Sequence, residues 1–188
     1  NAADGVLYSL DTDYQDARDA STATTADNND ASEATAVRSE YHRGRYALGR
    51  AYLYWDTSDI YSLPTSGTLS VYGITNSGID RVVCVKSSHG STLTTADWDA
   101  IPGWVVGVSG PVDNSNNVTI YSTGTTTWDA SGFNDFTLNE TALRDIRDNN
   151  SFTCVLIDRN NDLRATAPSA NTTQINGMYF SEHSGIPV

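Results

Sequence analysis

The side chains in this sequence with chemistry to offer are three histidines, two cysteines and many aspartates. None of His42, His89 and His183 has a Cys, Asp or second His at a metal-ligand spacing, and each lies in polar, loop-like surroundings. They read as surface histidines. Gly107-Val108-Ser109-Gly110 approaches a nucleophile elbow but lacks the residue between the serine and the second glycine that the strained turn requires. Asp97 and Asp99, flanking Trp98, have the residue types of a glycosidase acid and base beside a stacking aromatic. Aspartate is also a favoured turn and cap residue, so adjacent turn positions are the expectation and no enzyme is.

Asp158-Arg159-Asn160-Asn161-Asp162 reproduces the first three ligand positions of a calcium loop in Asp158, Asn160 and Asp162, and Asp11-Thr12-Asp13 is a fainter echo. Leu163 stands where the sharp-turn glycine belongs and Ser169 where the bidentate glutamate belongs, so a hairpin loop is preferred over a structural calcium ion, the one cofactor suggested. Cys84 and Cys154 fall inside predicted strands. A disulfide between them would close a loop of about 70 residues, worth about 4 kcal/mol in chain entropy, and buried free thiols fit equally well. Sequons at Asn117, Asn139, Asn149 and Asn171 are read as chance in so Asn- and Thr-rich a chain.

Positioning these residues falls to strands. The clearest runs from Tyr46 to Asp56, with Ala47, Gly49, Ala51, Leu53 and Trp55 on one face and Tyr46, Leu48, Arg50, Tyr52 and Tyr54 on the other. With Leu53 and Trp55 inward, Tyr52 and Tyr54 stand beside Arg50 on an outer face that can stack on sugar rings or anchor a protein, unless the N-terminal segment or a neighbouring strand covers it. Further short strands are predicted at Gly5–Tyr8, Thr68–Ile74, Arg81–Ser87, Trp104–Val108, Val118–Ser122, Phe152–Asp158 and Met178–Ser181. Tyr14–Arg18 reads as one helical turn or a surface link, and Ser21–Ser32 as a long polar loop. One helix is predicted over Glu140–Arg147, with Thr137 and Glu140 as its capping box and Ala142, Leu143 and Ile146 as the stripe that plugs an end of the fold. The fold class is all-β: an antiparallel, jelly roll-like β-sandwich with one short helix, a single domain over residues 1–188 whose first 45 residues include a polar arm or loop.

Its 188 residues suffice for an ordinary core, since a chain of this size buries roughly 70% of the surface its unfolded form exposes. With 23 acidic against 11 basic residues, a net charge of -12, a pI near 4.3 and a single lysine, Lys86, nucleic acid and anionic membranes are excluded as partners. No apolar run approaches the ~20 residues of a membrane span, and Asn1 opens the chain without a signal-like stretch, consistent with processing or trimming. Acidity with scarce lysine suits a protein that stays soluble outside cells or in salty water.

Arg50-Ala51-Tyr52-Leu53-Tyr54-Trp55-Asp56-Thr57-Ser58 followed by Thr68-Leu69-Ser70-Val71-Tyr72-Gly73 resembles the hallmark of DNRLRE-like β-sandwich modules, with Trp55 in place of a phenylalanine. The likeness extends through Leu93–Trp98, Phe136–Asn139, Phe152–Asp158 and Tyr179–Gly185, most of the chain after Tyr46. It implies a module without catalytic residues, similar to carbohydrate-binding jelly rolls, with relatives among secreted surface proteins and phage particle proteins. Such modules usually run on past the final glycine and proline into another strand, whereas this chain stops at Gly185-Ile186-Pro187-Val188, which leaves a strand short or supplied by another chain and suits an assembling protein. The expected function is a non-enzymatic structural or decorating module on an extracellular or virion surface, homo-oligomeric or bound to a particle scaffold. The alternative is a glycan-binding module using Arg50, Tyr52 and Tyr54 with Trp98 or Trp128.

Overall fold

The strand Arg45–Asp56 organises the molecule, because both of its faces carry apolar side chains and each needs a layer to cover it. A computed structural model describes residues 4–27, 34–125 and 127–180. In chain order the elements are β1 (Gly5–Asp11), α1 (Tyr14–Arg18), β2 (Thr25–Asp27), β3 (Ala34–His42), β4 (Arg45–Asp56), β5 (Thr68–Ser77), β6 (Val82–Lys86), a 3-10 turn (Thr95–Asp97), β7 (Ile120–Thr125), β8 (Phe133–Thr137), α2 (Glu140–Asp148), β9 (Ser151–Asp158), a π turn (Arg159–Leu163) and β10 (Thr172–Met178). The all-β antiparallel fold is as expected.

Every strand pairing is antiparallel, and the sheet runs β7-β6-β9-β4-β3-β10-β5-β8 with β1 and β2 off this path. Gly49 of β4 pairs with both Tyr8 of β1 and Arg38 of β3, while Ala51 pairs with both Val6 of β1 and Leu156 of β9. Thus β1 holds one edge of β4, and β3 and β9 share the other edge end to end. A Cβ on Gly49 would come within 3.0 Å of both Arg38 Cβ and the Tyr8 ring, so glycine is what lets three strands meet there. The chain curls back until Asn139, just after β8, donates its backbone N–H to Tyr121 O (2.9 Å) and its side-chain amide to Ile120 O (2.7 Å) of β7.

Strand alternation then builds two cores. Val6, Ala51, Leu53, Val82, Cys84, Phe152, Cys154 and Leu156 face Val37, Leu69, Val71, Phe136 and Met178 across the sandwich interior, with Ala142 and Leu143 of α2 closing one end. Leu7, Leu48, Tyr52, Val83, Val85, Val155 and Ile157 point the opposite way, under Tyr14 of α1 and Leu93, Trp98 and Ile101 of the long connection between β6 and β7. The central strands are therefore buried on both sides.

Several expectations change. The N-terminal polar run contains β2, and β3 follows it; β2 is a solvent-facing edge strand and needs no apolar alternation. Residues 28–32 of that run lie outside the described residues. Trp104–Val108 is loop, because Trp104 is drawn inward while the valines after it face out. β8 was hidden because its inward positions are Asn134 and Phe136, and Asn134 is polar; its side chain clamps Asp129 N (2.8 Å) and O (2.9 Å). The last described strand is β10 rather than Met178–Ser181, whose final residue lies outside the described residues. α2 is capped by Asn139, which accepts from Ala142 N, not by a Thr137–Glu140 box. A second helix, α1, is capped by Asp13, which accepts from Gln15 N and Asp16 N.

Candidate functional site

Arg50 is the reason the expected outer face of β4 is an interior. Its guanidinium is fully buried and forks onto Asp162, Nε to Oδ2 at 2.7 Å and Nη2 to Oδ1 at 2.7 Å, while Nη1 donates to Trp98 O at 2.8 Å and Nη2 also reaches Arg18 O at 3.1 Å. Burial opposes the Arg50 charge, but the Asp162 carboxylate outweighs it and raises the pKa above the ordinary arginine value. Arg18, also fully buried, donates to Asp162 O (2.6 Å), Val112 O (2.7 Å) and the Asp19 carboxylate (2.6 Å). The Arg50 guanidinium lies 4.0 Å from the Trp98 ring centre and 4.4 Å from that of Trp104, and Arg18 lies 4.4 Å from Trp104. Tyr52 completes the cluster by donating to Trp98 O (2.7 Å), and burial pushes its phenol pKa up.

The residues expected to take a glycan are thereby placed. Arg50, Tyr52 and Trp98 are spent on this cluster, and Trp128 is buried in the sandwich with its indole donating to Gly177 O (3.2 Å). Tyr54 is half-buried, its ring 6.5 Å from that of His89. These five do not form an accessible face. The proposed calcium ligands are likewise committed: Asp162 serves Arg50, and Asp158 Oδ1 caps the π turn by accepting from Asn160 N (2.8 Å) and Asn161 N (3.1 Å). Asn160 gives its side-chain amide to Asp80.

Other candidates resolve similarly. Asp97 caps its own turn, accepting from Thr94 N and Oγ1 (2.8 and 2.9 Å), while Asp99 is exposed. His42 is exposed, His89 is buried with Nδ1 against Ser87 Oγ (2.8 Å) rather than on the surface, and His183 lies outside the described residues. Cys84 and Cys154 are buried free thiols on adjacent strands, and burial, then the hydrogen bond with Cys84, pushes the Cys154 thiol up.

What does open to solvent is a cleft at the far end of β4. A cavity of about 380 Å³ is lined by Trp55, Ile60, Leu69, Leu138, Ile146 and Phe152, with Asp56, Thr57, Thr68 and Ser70 as its polar groups. A second hollow of about 570 Å³ shares Leu138 and adds Leu63, Pro64 and Leu143. Trp55, expected to point inward, is instead 38% exposed and lies against Phe152, ring centres 5.8 Å apart. No family model, curated protein or solved structure matches the chain. The cleft is not legible from the β4 pattern because alternation puts Trp55 on the face of Leu53, where it is still paired with Phe152 but is left partly uncovered at the end of the strand. The available signal was the uncharged stretch between Asp59 and Asp80, which opens with Ile60, Tyr61 and Leu63.

Two outcomes follow from the buried charges. Asp162→Ala strands Arg50 without its partner and is expected to cost about 3–5 kcal/mol in urea unfolding, whereas Arg50→Met with Asp162→Leu costs clearly less than the sum of its single variants. A strictly additive pair would show that the fork is not coupled. Burial also pushes the Asp158 carboxyl up, against the pull of the Asn161 and Asn160 amides and helped by the nearby Asp162 charge. The folded protein then holds a proton that the unfolded chain releases near pH 4, so this group's contribution to stability falls as pH rises from about 4 to its raised folded value. Asp158→Asn keeps the capping oxygen and removes the titration. The stability of the wild type relative to this variant should fall as pH rises above about 4, and a constant difference would refute the shift.

Proposed function

We propose that the chain is a non-enzymatic assembly module, held to copies of itself or to a scaffold on an extracellular surface such as a virus particle or filament. The observation that carries this is the distribution of side chains: the paired charges of Arg18, Arg50, Asp19 and Asp162 are consumed inside, while Trp55, Ile60, Tyr61, Leu63, Val105, Val106 and Val108 are left in water. Supporting it are the acidic, lysine-poor surface and the resemblance to DNRLRE-like modules, which implies no catalytic set. A second reading, glycan binding, is favoured by one feature: Trp55 offers part of its ring beside the Asp56 carboxylate and the Thr68 and Ser70 hydroxyls in an open cleft.

Sedimentation velocity over a wide concentration range separates the two. The assembly reading expects mass to rise with concentration into oligomers or filaments; a monomer throughout that also binds no particle component would sink it. The glycan reading expects Trp fluorescence to titrate with an oligosaccharide and the response to disappear in Trp55→Ala with the unfolding midpoint nearly unchanged. An unaltered glycan profile in that variant removes Trp55 from any such role.

A further inference from the structure

Leaving aside Leu10 and Phe133, the exposed large apolar residues fall into two groups of different shape on opposite faces of the sheet around β4. One is convex. Val105, Val106 and Val108 are 43%, 53% and 98% exposed on a loop between β6 and β7. That loop is held from beneath: Val105 N donates to Asn114 Oδ1 (2.9 Å), Asn114 Nδ2 returns to Val105 O (3.1 Å), Gly107 N donates to Asp19 Oδ2 (3.2 Å), and the Gln15 side-chain amide donates to Gly107 O. Trp104, immediately before the valines, is fixed by both buried guanidiniums. A Cβ on Gly107 would sit 1.7 Å from Gly110 O, so the turn closes tightly on itself. Three valines are thus displayed on a rigid knob, with little ordering entropy left to lose on contact.

The other group is concave. The cleft of Trp55, Ile60, Leu69, Leu138, Ile146 and Phe152 continues past Leu138 to Leu63 and Leu143. Knob and cleft lie apart. The knob is tied to α1, whose Tyr14 ring packs 5.5 Å from Tyr46 near the start of β4, and the cleft is lined by Trp55 and Asp56 at its end. Trp104, next to the knob, packs on the Leu48 and Tyr52 face of β4, whereas the cleft residues Leu69, Leu138 and Phe152 belong to the core on its Ala51 and Leu53 face. Charge points to where two copies can meet. At a net charge of -12 they repel, yet no charged residue occurs between Asp99 and Asp113, which spans the knob, or between Asp59 and Asp80, which spans one wall of the cleft; the remaining walls carry Asp56 and Glu140, which an uncharged knob meets without repulsion.

We propose that the valine knob of one copy enters the Trp55 cleft of the next, so that the chain assembles head to tail. This rests on the assembly reading and specifies its contact. A knob and a receptacle on different parts of one surface make a heterologous interface, which grows into a filament or closes as a ring and does not stop at a two-fold dimer.

The test is sedimentation velocity on the full chain with Val108→Asp, which spoils the knob, and Ile60→Asp, which spoils the cleft, each checked for native circular dichroism; Leu63→Asp replaces Ile60→Asp if the latter fails to fold. Wild type is expected to grow with concentration and each variant to stay monomeric. An equimolar mixture of the two should give a species of twice the monomer mass and no larger, because only one good knob and one good cleft remain. If either variant alone assembles as the wild type does, or the mixture stays monomeric, the contact is overturned while the assembly reading stands. A wild type that is monomeric throughout, its cleft taken by a glycan or by a different protein, overturns the contact and removes self-assembly.

Discussion

A guanidinium in the middle of a strand that is buried on both faces is the constraint from which much of this molecule follows. Arg50 cannot turn to water, so the protein brings to it a carboxylate from the π turn, the carbonyl of Trp98, the carbonyl of Arg18 and two indole faces. These groups come from three segments, the end of α1, the connection carrying Trp98 and Trp104, and the π turn, and none is held to β4 by regular sheet pairing. Desolvating the pair offsets much of its Coulombic gain, so the cluster adds less to net stability than its distances suggest. What it does is select one arrangement for three irregular stretches that hydrophobic contact alone would leave ambiguous.

The same cluster explains why apolar side chains end up in solvent. Trp104 is pulled against Arg18 and Arg50, and the tight turn that follows has nowhere to send its valines except outward. Asp19 serves both purposes, neutralising Arg18 on one oxygen and holding Gly107 N with the other. Order inside and display outside are two ends of one short segment.

The sequence shows the fold where burial is simple. Alternation in β4 and the β-branched runs of β5, β6 and β9 are plain, as is α2 with its Ala142 and Leu143 stripe. It fails where polar residues take structural positions: Asn134 inside β8, the polar β2 and β3 near the N-terminus, and Asn139 as the cap of α2. For the site the failure is systematic. Arg50, Tyr52 and Trp98 are the residue types of a sugar-binding face, and only their packing partners, more than 30 residues away in sequence, reveal that they are spent internally. Asp158 and Asp162 look like metal ligands for the same reason: a short run of Asp and Asn suits a cation and suits a turn of backbone amides equally.

The strand order has a bearing on how the chain is made. β10 is the last strand in sequence among the described residues, yet it lies between β3 and β5 rather than at a sheet edge. During synthesis from the N-terminus, β3 and β5 emerge with facing rows of unpaired N–H and C=O groups and must wait for almost 100 further residues before the strand that joins them exists. Over that interval a nascent chain carries two open edges suited to the β10 of any neighbour, so fidelity on a crowded polysome depends on how soon synthesis reaches Thr172.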